Sequence, residues 1–158
     1  PPPLPKGHPM TEVLYTRSLA APIDVVWAVL ADFPRLAEWA PMITHSSAMT
    51  QNSEGVGAVR RVAMGRTILL ERITEWEPGK VLAYELEGLP RVIASASNRW
   101  ALVADAASTT VSLTTIVEPG PRPPMKAAAA VAARRIGATN KSLLDCLVIE
   151  AEKIGATR

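Results

Sequence analysis

The chain of 158 residues holds one cysteine, two histidines and one phenylalanine, and aromatic residues make up only 4% of it. Cys146 standing alone excludes an intrachain disulfide and a thiolate metal cluster. It fits a reducing, cytoplasmic setting. His8 and His45 have no second ligand at a metal-binding spacing, so no metal and no cofactor is expected. No apolar run approaches the ~18–20 residues of a membrane span. The alanine-rich stretch 127–133 is short and runs into Arg134 and Arg135, so no stable membrane insertion is expected. An excess of one charge is missing too. Lys and Arg number 17 against 15 Asp and Glu, and a net +2 is too little to argue for a nucleic-acid partner, despite a pI near 9.0. There is no Gly-x-Ser-x-Gly elbow, and Gly55-Val56-Gly57 lacks the strand-to-helix context of a phosphate loop.

What is present describes an ordinary globular chain on the apolar side, with 48% hydrophobic and 20% charged residues. A chain of this length can bury roughly two thirds of its unfolded surface in one domain. Pro1 to Met10 is proline-rich and lacks the apolar core of a leader. Residues 1–10 are therefore set outside the fold as a disordered arm or remnant, with Met10 a candidate start. Residues 11–158 form the expected single domain.

Along the chain the hydrophobic period changes three times. Thr11 to Leu19 alternates, as a strand does. Pro22 suits the first turn of a helix, and Val25, Val26, Val29 and Leu30 then share one helical face. Asp32-Phe33-Pro34 breaks that helix, and a second short one spans about 35–39. From Met42 the period is two. Strands are predicted near 42–50, 57–64, 67–77, 80–88, 92–104 and 109–117, joined by short turns that imply antiparallel neighbours. The proline-rich segment 118–124 ends the sheet. A long helix follows, with Ile136, Asn140, Leu143, Leu144, Leu147, Ala151 and Ile154 in one stripe. Gly137 inside it marks a bend or a close approach of the sheet. The fold class is α+β: a seven-stranded curved antiparallel sheet around a long C-terminal helix, with two short helices after the first strand.

Turn positions predict which residues oppose one another. A two-residue turn at Gly65-Arg66 puts Val62 against Leu69 and Arg60 against Glu71. Pro78-Gly79 pairs Glu77 with Lys80, Glu75 with Leu82, and Ile73 with Tyr84. A turn after Ala104 pairs Trp100 with Leu113, Asn98 with Thr115 and Ala96 with Val117. One face thus collects Val62, Ile73, Tyr84, Leu86, Trp100 and Leu113, and is the buried one. It also carries Arg60, Glu71, Asn98 and Thr115. The pair Arg60–Glu71 has two readings that stay open: a structural ion pair at the sheet edge, or a polar anchor inside an apolar cavity. Trp76 falls on the polar-face register, and Trp27 and Trp39 pack the short helices onto the body. Cys146 lies beside the helical stripe as inert core or cavity lining.

The residues also support a resemblance. Ala20-Ala21-Pro22-Ile23-Asp24-Val25-Val26-Trp27, continuing through Asp32-Phe33-Pro34 to Trp39, resembles the opening signature of the START-like superfamily. That group includes the birch-pollen-allergen fold and the polyketide cyclase/dehydrase (SRPBCC) families. Later pieces agree, namely 55–62, Glu71-Arg72-Ile73, Leu82-Ala83-Tyr84-Glu85-Leu86 and Asn98-Arg99-Trp100. The match runs in order over nearly all of residues 11–155. It implies a helix-grip fold whose short helices close one end of a cavity. It also implies a lipid, sterol, polyketide or quinone-like ligand, and in some members polyketide cyclisation. Hormone receptors of this fold place the glutamate of a comparable segment in the cavity, at the position of Glu71. Bacterial relatives often carry tyrosine where Ala96 stands; its absence enlarges the pocket and removes a hydroxyl.

The expected ligand-binding set is Arg60, Val62, Glu71, Ile73, Tyr84, Asn98, Trp100, Leu113, Thr115, Asn140 and Leu144. Glu71, Tyr84 and Arg60 are the only groups an enzyme could use, and none is assigned a catalytic role. The expected function is binding or transport of a small hydrophobic ligand. The alternatives are a cyclase/aromatase, or a regulatory or co-chaperone module using the outer-face arginines Arg61, Arg72 and Arg99. A monomer or weak homodimer is expected.

Overall fold

A computed structural model describes residues 10–158 of the chain. The expected arm at residues 1–10 lies outside the described residues, apart from Met10.

The element order is β1 (Thr11–Leu19), α1 (Ile23–Ala31), a 3-10 turn (Phe33–Arg35) and α2 (Leu36–Trp39). Six strands follow, β2 (His45–Ala48), β3 (Val59–Met64), β4 (Thr67–Glu77), β5 (Val81–Glu87), β6 (Ile93–Asp105) and β7 (Ser108–Pro119), and then α3 (Pro123–Ala156). The strands form one antiparallel sheet in the order β1-β7-β6-β5-β4-β3-β2. This is the expected helix-grip architecture. Consecutive strands are hairpin-linked except β1 and β2, which α1 and α2 connect across to opposite edges of the sheet. The exposed edge strand β2 is only four residues long, which limits unwanted pairing.

Alternation decides what is buried. In β7 every second residue from Thr109 to Pro119 is buried, among them Val111, Leu113, Thr115 and Val117. The α3 stripe meets this face through Ala133, Asn140, Leu144, Leu147 and Ala151, each at most 3% exposed. Gly137 continues it. A Cβ there would lie 3.2 Å from Val13 Cγ1, so the glycine marks the close approach of β1 rather than a bend. Ile154 leaves the expected stripe and is exposed, because the four-residue steps from Leu147 and Ala151 lead to Gly155, which faces Ala21.

The predicted registers of the β3–β4 and β6–β7 hairpins are those observed. The β4–β5 hairpin differs near its turn. Glu77 pairs with Val81 rather than Lys80, and Leu82 opposes Trp76 rather than Glu75. Pro78, Gly79 and Lys80 form a three-residue link, with Gly79 at φ +74°. A bulge at Thr74 absorbs the extra residue, so Ile73 still opposes Tyr84 and Glu71 still opposes Leu86. The bulge moves Trp76 off the polar face and onto the inner one. There it meets the Trp27 ring of α1 edge-on, with centroids 5.2 Å apart. Glu75 turns outward and pairs with Arg99 at 2.9 Å.

Candidate functional site

Arg60 and Glu71 face each other across the β3–β4 hairpin on the inner face. Arg60 Nε donates to Glu71 Oε1 at 3.0 Å, and an Arg60 Nη donates to the Phe33 carbonyl at 2.9 Å. The guanidinium lies over the Phe33 ring, 3.8 Å from its centroid, and 4.9 Å from that of Tyr84. The pair is not at the sheet edge: Arg60 is 4% exposed and Glu71 6%. It fastens the 3-10 turn to the sheet, and its charges are compensated by each other, by a carbonyl dipole and by ring faces.

Behind the pair lie two more buried polar groups. Tyr84 accepts a hydrogen bond from Trp100 Nε1 at 3.3 Å. Burial, helped by the nearby Glu71 charge, pushes the Tyr84 phenol up to about 12. The folded state therefore keeps this proton after the unfolded chain, titrating near 10.0, has lost it. The associated stability is complete below pH 10 and falls as pH rises toward 12, by about 1.4 kcal/mol per pH unit. Urea unfolding between pH 9 and 12 checks this, and Tyr84→Phe is expected to flatten that part of the profile. The second group is a triad joining α3 to β6 and β7. Asn140 Nδ2 donates to Asn98 Oδ1 and to Thr115 Oγ1, both at 2.7 Å, and Thr115 donates to Asn98 Oδ1 at 2.9 Å. Among the described residues no buried side-chain polar atom lacks a partner.

A half-open cavity of about 510 Å³ lies between the first half of α3, the β3–β4 hairpin and the β5–β6 connection. Its wall is mostly apolar, with Leu36, Ile43, Val62, Leu69, Leu86 and Ile136 among the lining residues. Of the expected ligand set, Val62, Glu71 and Asn140 line it. Arg60 stands behind Glu71, and Asn98 and Thr115 stand behind Asn140. Ile73, Tyr84, Trp100, Leu113 and Leu144 fill the interior toward α1, each at most 2% exposed. Alternation tells which face a residue is on, but not whether space remains in front of it. At the α1 end Phe33, Tyr84 and Trp100 use that space up.

The remaining lining residues were readable only in part. Leu86 lies on the predicted inner face, and Ile136 and Leu143 on the predicted stripe. Leu89 and Pro90 come from a connection that carries no periodicity, Leu36 opens the one-turn helix α2, and Ile43 precedes β2, which is shorter than the strand expected near 42–50. Ala96 is buried beside an opening of about 330 Å³ where β5 and β6 part beyond Glu85–Ser97. That opening shares Leu86, Gly88, Leu89 and Ile93 with the main cavity. A smaller cleft of about 270 Å³ lies between α1, α2 and the end of α3, where Arg35 pairs with Asp32 and Glu38. Cys146 is half-buried and lines none of these cavities, and burial raises its thiol pKa. His45 is exposed on the edge strand β2. Among the described residues no helix is long and apolar enough to cross a membrane.

With this geometry, residues 10–152 match the family described as polyketide cyclase / dehydrase and lipid transport. The chain belongs to that family. The fold is also similar to solved structures. The ZhuI aromatase/cyclase from Streptomyces sp. R1128 is 24% identical with a TM-score of 0.76, over 92% of this chain and 95% of that one. A START superfamily protein from Mycobacterium smegmatis is 17% identical with a TM-score of 0.71, over 94% and 99%. The di-domain ARO/CYC StfQ of the steffimycin biosynthetic pathway is 11% identical with a TM-score of 0.76; the match covers 93% of this chain and 52% of StfQ, about half its length. No curated protein matches the chain in sequence.

Proposed function

We propose that this family member binds and carries a small hydrophobic molecule in the 510 Å³ cavity. The observation that carries the reading is the cavity itself. It has the size and the mostly apolar wall of a ligand site, with a few polar groups to orient the guest. Leu69 is half-buried on that wall, so Leu69→Trp fills space without opening the core. The variant is expected to weaken binding of an environment-sensitive apolar dye by about fivefold or more, as a steric penalty of ~1–3 kcal/mol implies. Unchanged dye affinity in a folded Leu69→Trp variant would overturn this reading.

A second reading, cyclisation of a polyketide chain, draws on the similarity to the ZhuI aromatase/cyclase and on Glu71 in the cavity wall. The Tyr84 hydroxyl is buried behind that wall, so a proton-transfer role falls to Glu71. Turnover of a linear poly-β-ketone by the wild type, lost in Glu71→Gln and kept in Tyr84→Phe, is the pattern this reading requires. The outer face offers less to a protein partner, since Arg72 and Arg99 are already paired with Glu87 and Glu75 at 2.9 Å.

A further inference from the structure

The polar atoms that face the cavity have a fixed direction, set by a chain of hydrogen bonds. The Tyr84 oxygen accepts from Trp100 Nε1. Asn98 turns its Oδ1 toward Thr115 and α3. That Oδ1 accepts from Thr115 and from Asn140 Nδ2. Flipping Asn140 would set two carbonyl oxygens against each other. Asn140 thus commits its NH₂ to the sheet, and the polar atom it can offer the cavity is Oδ1, an acceptor. Glu71 is arranged alike. Its Oε1 takes the Arg60 proton, while Oε2 meets no side-chain donor among the described residues. Oε2 is nevertheless not a sealed orphan, so the 6% of Glu71 left exposed presents it to the cavity that Glu71 lines.

The mouth has the opposite character. Arg66, in the β3–β4 turn, and Arg135, on α3, line the same cavity and are exposed. Neither forms an ion pair among the described residues. Acceptors sit in the floor and cations at the rim.

We infer that the cavity takes an amphipathic organic anion that enters hydroxyl first, its alcohol or phenol donating to Glu71 and Asn140 and its anionic group lying between Arg66 and Arg135. The inference rests on the ligand-binding reading above and narrows it. A molecule whose inner end carries only carbonyls would leave two buried acceptors facing further acceptors, and is discriminated against.

The test compares matched probes by calorimetry: ω-hydroxydodecanoic acid, its ω-methoxy analogue, and the methyl ester of the hydroxy acid. The hydroxy acid is expected to bind about fivefold or more tighter than the methoxy acid, the effect of one net hydrogen bond of ~1 kcal/mol. Asn140→Leu should shrink that ratio. The methoxy comparison needs no variant, so it decides even if Asn140→Leu fails to fold. The acid should also bind about fivefold or more tighter than its ester, and the double variant Arg66→Gln, Arg135→Gln, altered only at exposed positions, should erase that preference. Equal affinities for hydroxy and methoxy acids overturn the assignment of the floor. An acid-over-ester preference that survives in the double variant overturns that of the mouth. If the apolar dye binds and no acid does, the inference falls while the container reading stands. If neither dye nor acid binds, both fall.

Discussion

Replacing Arg60 by methionine is expected to destabilise the protein by about 3–5 kcal/mol, the usual cost of leaving one charge of a buried pair uncompensated. Glu71 would then face the interior without Arg60, and the Phe33 carbonyl would lose its donor. In a domain of this size the melting temperature should fall by roughly 10 °C, at about 2–4 °C per kcal/mol. Thermal and urea unfolding measure both quantities. The double variant Arg60→Met, Glu71→Leu should recover most of the loss, because an apolar pair of similar volume leaves no buried charge behind. A loss below about 1 kcal/mol in Arg60→Met would mean that cavity water already solvates Glu71 well, and that the pair is not the tether described here.

Trp100→Ala is the second large effect, expected at about 3–5 kcal/mol. Trp100 is 2% exposed and packed between the sheet and the short helices, and it donates to Tyr84. Truncation removes a large apolar side chain from a region with little room to collapse, and leaves Tyr84 short of one donor. The resulting void should be mostly apolar, with the Tyr84 hydroxyl at its wall, and should admit benzene, seen as a rise in melting temperature when benzene is added. This variant separates two pictures of the interior. If the α1 end of the sheet is solid, the cost is large and a new guest site appears. If the natural cavity continued to Trp100, the cost would be small, and the affinity for larger apolar ligands would rise instead.

Both expectations trace back to residue patterns that could be read in advance. Strict alternation along β3 to β7, together with two-residue turns at Gly65-Arg66 and after Ala104, placed Arg60 opposite Glu71 and Asn98 opposite Thr115. The three- and four-residue steps on α3 placed Asn140 on the inward stripe, and the structure joins it to Asn98 and Thr115. Where one residue was added, at Pro78-Gly79-Lys80, the arithmetic slipped locally. The compensating bulge at Thr74 left no mark in the pattern. Such a bulge costs little in composition and yet inverts the facing of every residue between it and the turn, as Glu75 and Trp76 show.

The amino-acid sequence by itself determined most of which residues are inward, most of which oppose one another, and that Arg60, Glu71, Asn98 and Thr115 are polar groups on the buried face. Period and turn length are local properties, so they survive without knowledge of the rest of the chain. Only the tertiary structure decided where empty space remains between the sheet and α3. That depends on how far side chains from distant segments reach across the same gap. Phe33, Tyr84 and Trp100 meet at one end and close it. At the other end Leu36, Ile43, Leu89 and Ile136 line an open cavity, with Glu71 and Asn140 in its wall.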